Sequence, residues 1–146
     1  MTDMKKIKWV ATVLGYLFRA FLAYTFIPHG WEKLTMRINP QEYIDFGLGG
    51  DFLDFYLIWE NTGFIYLIGF AQLVGGLLLI PRCTYLFGGI WLLPMCIGMV
   101  GCHWYISHAT DFLWFDIIIL VMNLYLIAIH LPELSKVLFK KRGSWI

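Results

Sequence analysis

Residues 112–131 read FLWFDIIILVMNLYLIAIHL. Twenty residues with one acid and no lysine or arginine have the length and polarity of a helix that crosses a hydrocarbon core about 30 Å thick. Asp116, Asn123 and His130 interrupt the run at intervals of seven residues, which places all three on one helical face. Polar groups are costly at membrane depth unless they face the interior of a bundle. One side of this helix is therefore expected to meet lipid and the other to meet protein.

Three further stretches pass the same test, at 9–27, 63–80 and 85–105. Hydrophobic residues make up 60% of the 146-residue chain and charged residues 14%, with a mean hydropathy of +0.69. A soluble domain carries charge at about 25% of its positions. The length suits a single domain. The expected fold class is all-α: one membrane domain over residues 1–146, built as a four-helix transmembrane bundle. The first stretch follows Lys5, Lys6 and Lys8 but is not expected to be a cleaved signal. It is too long, Arg19 interrupts it, and no small-residue cleavage site follows.

Basic residues mark the cytoplasmic side of membrane proteins. Lys5, Lys6 and Lys8 precede the first span, Arg82 lies between the second and third, and Lys136, Lys140, Lys141 and Arg142 follow the fourth. The opposite loops hold only Lys33 and Arg37. Both termini are thus expected in the cytoplasm, with the chain in the cell's inner membrane. Trp31, Trp59, Trp104 and Trp114 would form the outer aromatic belt and Trp9 the inner one. No basic stripe is available to neutralise phosphates, so nucleic acid is not an expected partner.

The outer loop, 32–62, mixes acids with Tyr43, Phe46, Phe52, Phe55, Tyr56 and Trp59. Asn39 before Pro40 is a helix start, and Gly47, Gly49 and Gly50 break the pattern. The loop is expected to form a short helix lying on the membrane surface, aromatic side down, as a cap over the bundle or a docking surface for a protein partner.

Polar residues inside the spans carry the chemistry. Arg19, Gln72 and Asn123 fall at similar depth near the bilayer middle, with Asp116 about 10 Å further outward. Asp116 is the one acid inside any span and the expected counter-ion of Arg19, with Glu32 and Glu60 as alternatives. Arg19, Gln72, Asp116 and Asn123 are read as an intramembrane polar network. It serves either interhelical hydrogen bonding or a ligand, quinone or proton site.

His29 and His103 end the first and third spans, and His108 follows in the short outer loop. Imidazoles and the sulfurs of Met95, Cys96, Met99 and Cys102 suit soft metals. Yet CxxC, HExxH and CxxCH are all missing, and Lys33 and Arg19 repel a cation. No metal or haem is therefore expected. The remaining reading is an outward-facing polar pocket lined by Arg19, His29, Gly30, Lys33, Gln72, His103 and Asp116, which would bind an organic headgroup.

One segment also carries a family resemblance. Arg19 is followed eleven residues later by Gly30, inside His29-Gly30-Trp31-Glu32-Lys33-Leu34. An arginine so placed before His-Gly-x-x-Lys-Leu resembles the first helix of the DoxX family of small four-helix membrane proteins. The glycine-rich run Gly69 to Gly76 and the Pro81-Arg82 turn are similar to its later helices. Pro28 and the long aromatic loop depart from the pattern. The resemblance implies a membrane subunit of an oxidoreductase or redox-stress complex, with a quinone-like or lipid ligand. It equally implies a non-enzymatic scaffold or assembly chaperone, and more remotely a small-solute transporter. Homo-oligomers are compatible with each.

Overall fold

The computed structural model of the protein describes residues 3–138. Lys140, Lys141 and Arg142, used above for orientation, lie outside the described residues. Among those described, all regular structure is helical: α1 (Asp3–Thr35), α2 (Pro40–Asp45), α3 (Asp51–Thr62), α4 (Phe64–Leu78), α5 (Tyr85–Cys102), a π-helical turn (His103–Ser107), α6 (Thr110–Ala128) and α7 (Leu131–Leu138).

α1, α5 with its π-helical turn, and α6 are each long and apolar enough to cross a membrane. α4 has 15 residues, fewer than the roughly 20 a span needs. It meets α3 across Gly63 at a bend of 92°. Gly63 has φ +76°, a left-handed conformation that glycine adopts without strain, and this lets the chain turn sharply there. There are thus three candidate spans, or four if the bent α3–α4 pair counts as one.

α1 packs on α4, α4 on α5, α5 on α6, and α6 back on α1. Leu22, Phe26, Leu79, Leu92, Cys96, Ile119 and Leu126 are buried between them. The outer surface is apolar: Leu17, Phe21, Leu67, Phe70, Ile97, Ile118 and Val121 are all exposed. A water-soluble surface does not present such a belt. It fits contact with lipid tails.

α1 differs from expectation in running eight residues beyond the predicted end at residue 27. Pro28 removes one backbone donor, but the helix passes through it, leaving His29 and Lys33 on a continuous surface. Gly30 seats this part of α1 directly against α4. A Cβ on Gly30 would lie 2.5 Å from the Leu73 nitrogen and 2.7 Å from the Gly69 oxygen, and one on Gly69 would lie 2.8 Å from the Lys33 Cβ. The two backbones touch at this crossing, as small residues permit. Gly30 is therefore a packing residue between α1 and α4 and lines neither of the two cavities described below, contrary to its expected place in a pocket.

The loop between α1 and α4 forms two helices rather than one. α2 starts where Asn39 and Pro40 place it, with the Asn39 side chain accepting from the Gln41 N–H at 3.2 Å. Tyr43, Phe52, Tyr56, Phe55, Trp59 and Phe64 stack in succession, with ring centroids 4.1–6.4 Å apart. The Ile38 N–H donates to Glu60 Oε1 at 3.0 Å, tying the segment between α1 and α2 to α3. The result is an aromatic cap at the end of the bundle where α1 finishes and α4 begins.

Candidate functional site

Beneath this cap lies a cavity of about 810 Å³, within the range of small-molecule sites. Its floor is polar, with Gln72 from α4, His103 from the π-helical turn and Asp116 from α6. His29 and Lys33 line it from α1, and Tyr43, Phe52 and Tyr56 from the cap. The structure thus brings together five of the expected residues: His29, Lys33, Gln72, His103 and Asp116. Arg19 and Gly30 are not among its walls.

His103 is the most tightly held of the five. Its ring lies between Phe52, 4.9 Å away at 25°, and Phe112, 5.5 Å away at 18°. Its Nδ1 is 2.7 Å from Ser107 Oγ, which also accepts from the Ala109 N–H at 3.2 Å. In the tautomer that carries its proton on Nε2, the imidazole accepts from the serine hydroxyl at Nδ1 and presents an N–H toward Asp116. The π-helical register provides this geometry, spacing His103 and Ser107 so that their side chains meet; such turns recur at functional sites.

Nε2 faces Asp116 Oδ2 at 3.7 Å, too far for a direct hydrogen bond. Asp116 is 3% exposed and Gln72 is 4% exposed. Asp116 Oδ2 and Gln72 Oε1 have no hydrogen-bond partner. Leaving a buried acceptor unsatisfied costs about 1–3 kcal/mol, so two at one cavity need an explanation. A single ligand oxygen beside the 3.7 Å gap can sit at about 2.8 Å from both Nε2 and Oδ2. It would accept from His103 and donate to Asp116. Of the cap residues, Tyr43 keeps its phenol proton: burial, then Glu32, Glu42 and Glu60, push it up to about 12. It remains a hydroxyl donor throughout the neutral range.

The expected polar network does not form as one unit. Arg19 makes no contact with Asp116, Glu32 or Glu60. Its Nε donates to the Leu79 carbonyl at 3.0 Å and its Nη2 to the Ile80 carbonyl at 2.7 Å, and its guanidinium lies 4.3 Å from the Tyr85 ring centre. Helical side chains lean toward their own N-terminus. α1 and α6 run in opposite directions, so Arg19 leans toward one end of the bundle and Asp116 toward the other. The carbonyls at the end of α4, which lack partners within their helix, receive the arginine.

Asn123, fully buried, is a clasp: its Nδ2 donates to the Gly89 carbonyl of α5 at 2.9 Å. His29 is exposed and lies 3.4 Å from Glu32 Oε2. Among the described residues, no three His, Cys, Asp or Glu side chains converge as a metal site. The cap residues Tyr43, Phe52, Tyr56 and the serine Ser107 were not read as site residues from the sequence. The aromatic density of residues 43–59 was the available signal.

The fold and its cavity define a small, all-helical membrane protein with a ligand-sized chamber under a helical cap. A DoxX family model matches residues 14–104, more than half of the chain. The protein belongs to the DoxX family, and with its several apolar helices it is an integral membrane protein. The match supports the resemblance carried by Arg19 and the His29–Leu34 motif. Comparison with curated proteins gave no match, and neither did comparison with solved structures.

Proposed function

We propose that this DoxX-family protein is the membrane subunit of an oxidoreductase or redox-stress complex, and that the cavity beneath the cap takes a quinol-type headgroup. The observation that carries the reading is the pair of buried, unsatisfied oxygens on Gln72 and Asp116 at one cavity. Acceptors left open call for a ligand that donates. An aromatic diol donates at both ends, fits between aromatic walls, and presents an oxygen to the His103 Nε2–H. Phe52 and Tyr56 supply stacking surfaces. On two-electron oxidation of the diol, Asp116 is placed to receive one hydroxyl proton, the second is released to water, and both electrons pass to a partner redox protein.

The test is mass spectrometry of small molecules retained through gentle detergent purification. A quinone or quinol at near-stoichiometric level is expected, and it should fall at least about tenfold in Gln72→Leu. A preparation free of any such ligand, with a stoichiometric protein partner, would replace this reading with that of an assembly scaffold.

In the membrane, α1, α4, α5 and α6 are taken as the four spans, with α3 lying along the surface. The cap faces outward, and the ends bearing Lys5, Lys6 and Arg82 face the cytoplasm. Native Cys83 is exposed beside Arg82 and reports on this directly. In intact cells Cys83 should resist a membrane-impermeant thiol reagent, whereas Asp51→Cys, in a background with Cys102 replaced by alanine, should react. The opposite labelling would invert the orientation.

A further inference from the structure

A second cavity, of about 530 Å³, lies at the other end of the bundle, where α1 begins and α4 passes into α5. Arg19 and Arg82 both line it, and among the described residues no aspartate or glutamate does. Among the described residues, neither guanidinium forms an ion pair. Arg19 is only 9% exposed. A cation so deeply placed is costly without a counter-charge, and two cations at one cavity add mutual repulsion.

The site is built rather than adventitious. Arg19 is fixed by the Leu79 and Ile80 carbonyls, which occupy two of its five N–H donors. The Tyr85 ring supports it from one face. Tyr16 lies beside both arginines, 5.3 Å from the Arg19 guanidinium carbon and 5.4 Å from that of Arg82. The remaining walls include Ala11, Gly15, Leu126 and Ile129. Two guanidiniums with unspent donors at one cavity suit a phosphoryl group. The apolar wall beside them suits the start of an acyl chain.

We infer that this cavity is a binding site for a phosphoryl group, most readily that of an anionic phospholipid headgroup. It is separated from the capped cavity by the core of the bundle and does not depend on what that cavity holds. Bound there, a phosphodiester would offset one of the two positive charges with its single negative charge and relieve their mutual repulsion. It would also tie α1 to the α4–α5 turn, stabilising the bundle in an anionic membrane.

The test uses the full-length protein in neutral detergent, with dihexanoyl phosphatidylglycerol, dihexanoyl phosphatidylcholine and inorganic phosphate as separate probes at constant ionic strength. Native mass spectrometry counts bound lipid, and thermal melting reads stabilisation. Phosphatidylglycerol should bind and raise the melting temperature. Arg82→Gln should weaken that binding at least about tenfold, with partial rescue by Arg82→Lys. Arg82 sits on an exposed turn, so this variant tests the site without removing the buried anchor. Stabilisation by inorganic phosphate and not by the lipid, lost in Arg82→Gln, supports the phosphoryl site and assigns it to the free ion. Equal binding of both lipids, or phosphatidylglycerol binding unchanged in Arg82→Gln, overturns the inference.

Discussion

Asp116→Leu should make the protein more stable and weaken ligand binding sharply. A polar residue that holds helices together destabilises the fold when removed. Asp116 has a buried oxygen with no partner and a histidine at 3.7 Å, beyond hydrogen-bond reach. Removing such a carboxylate relieves a desolvation penalty of about 1–3 kcal/mol, and leucine, though larger, has the cavity beside it to extend into. The affinity for a quinol should fall about 100-fold, because both the acceptor and the groove beside His103 Nε2 are lost. Stability lost at a functional site and regained on its removal is the expected trade-off. Thermal melting in detergent, with and without a short-chain quinol, separates the two effects. A large drop in melting temperature in the absence of ligand would make Asp116 a structural residue.

Arg19→Leu should act in the opposite sense and independently. It strips two charge-assisted hydrogen bonds from the Leu79 and Ile80 carbonyls and the stacking on Tyr85. The loss of stability should be about 2–3 kcal/mol. Because Arg19 and Asp116 share no partner, the double variant should show the sum of the single effects to within about 0.5 kcal/mol. An ion pair would behave differently, each single change stranding a charge and the second relieving it. Melting of the four proteins of this cycle decides between the two arrangements. Strong coupling would restore the Arg19–Asp116 pair.

The contrast between these residues shows where the sequence is informative. Apolar runs gave the long helices, because a hydrocarbon environment leaves a composition signal at each position. The Asn39–Pro40 helix start was equally plain. Arg19 and Asp116 were misjudged as a pair because depth was counted along the helix axis without the lean of each side chain. Two antiparallel helices send their side chains in opposite directions, which widened a gap already about 10 Å at the backbone. Gly30 stands beside His29 and Lys33 in sequence, yet its missing Cβ serves the α4 crossing. Pro28, a departure from the family pattern, lies inside a continuous α1, and the turn after it packs against Gly69. The cap could not be placed in detail, because its form depends on tertiary stacking among Tyr43, Phe52, Tyr56 and Trp59 and on the Gly63 bend. His29, Lys33, Gln72, His103 and Asp116 were legible as polar residues in apolar surroundings. What they share with one another, a chamber roofed by aromatic rings, became visible only with the fold.

The central claim is that the capped cavity binds a ligand through the hydroxyl protons that Asp116 and Gln72 lack. Calorimetric titration of the purified protein with a short-chain quinol and with its dimethyl ether tests this directly, since the two differ in their O–H donors and little else. The quinol should saturate one site per chain and bind at least about tenfold more tightly than the ether. Equal affinities for the two, or no saturable binding of the quinol, would contradict the account.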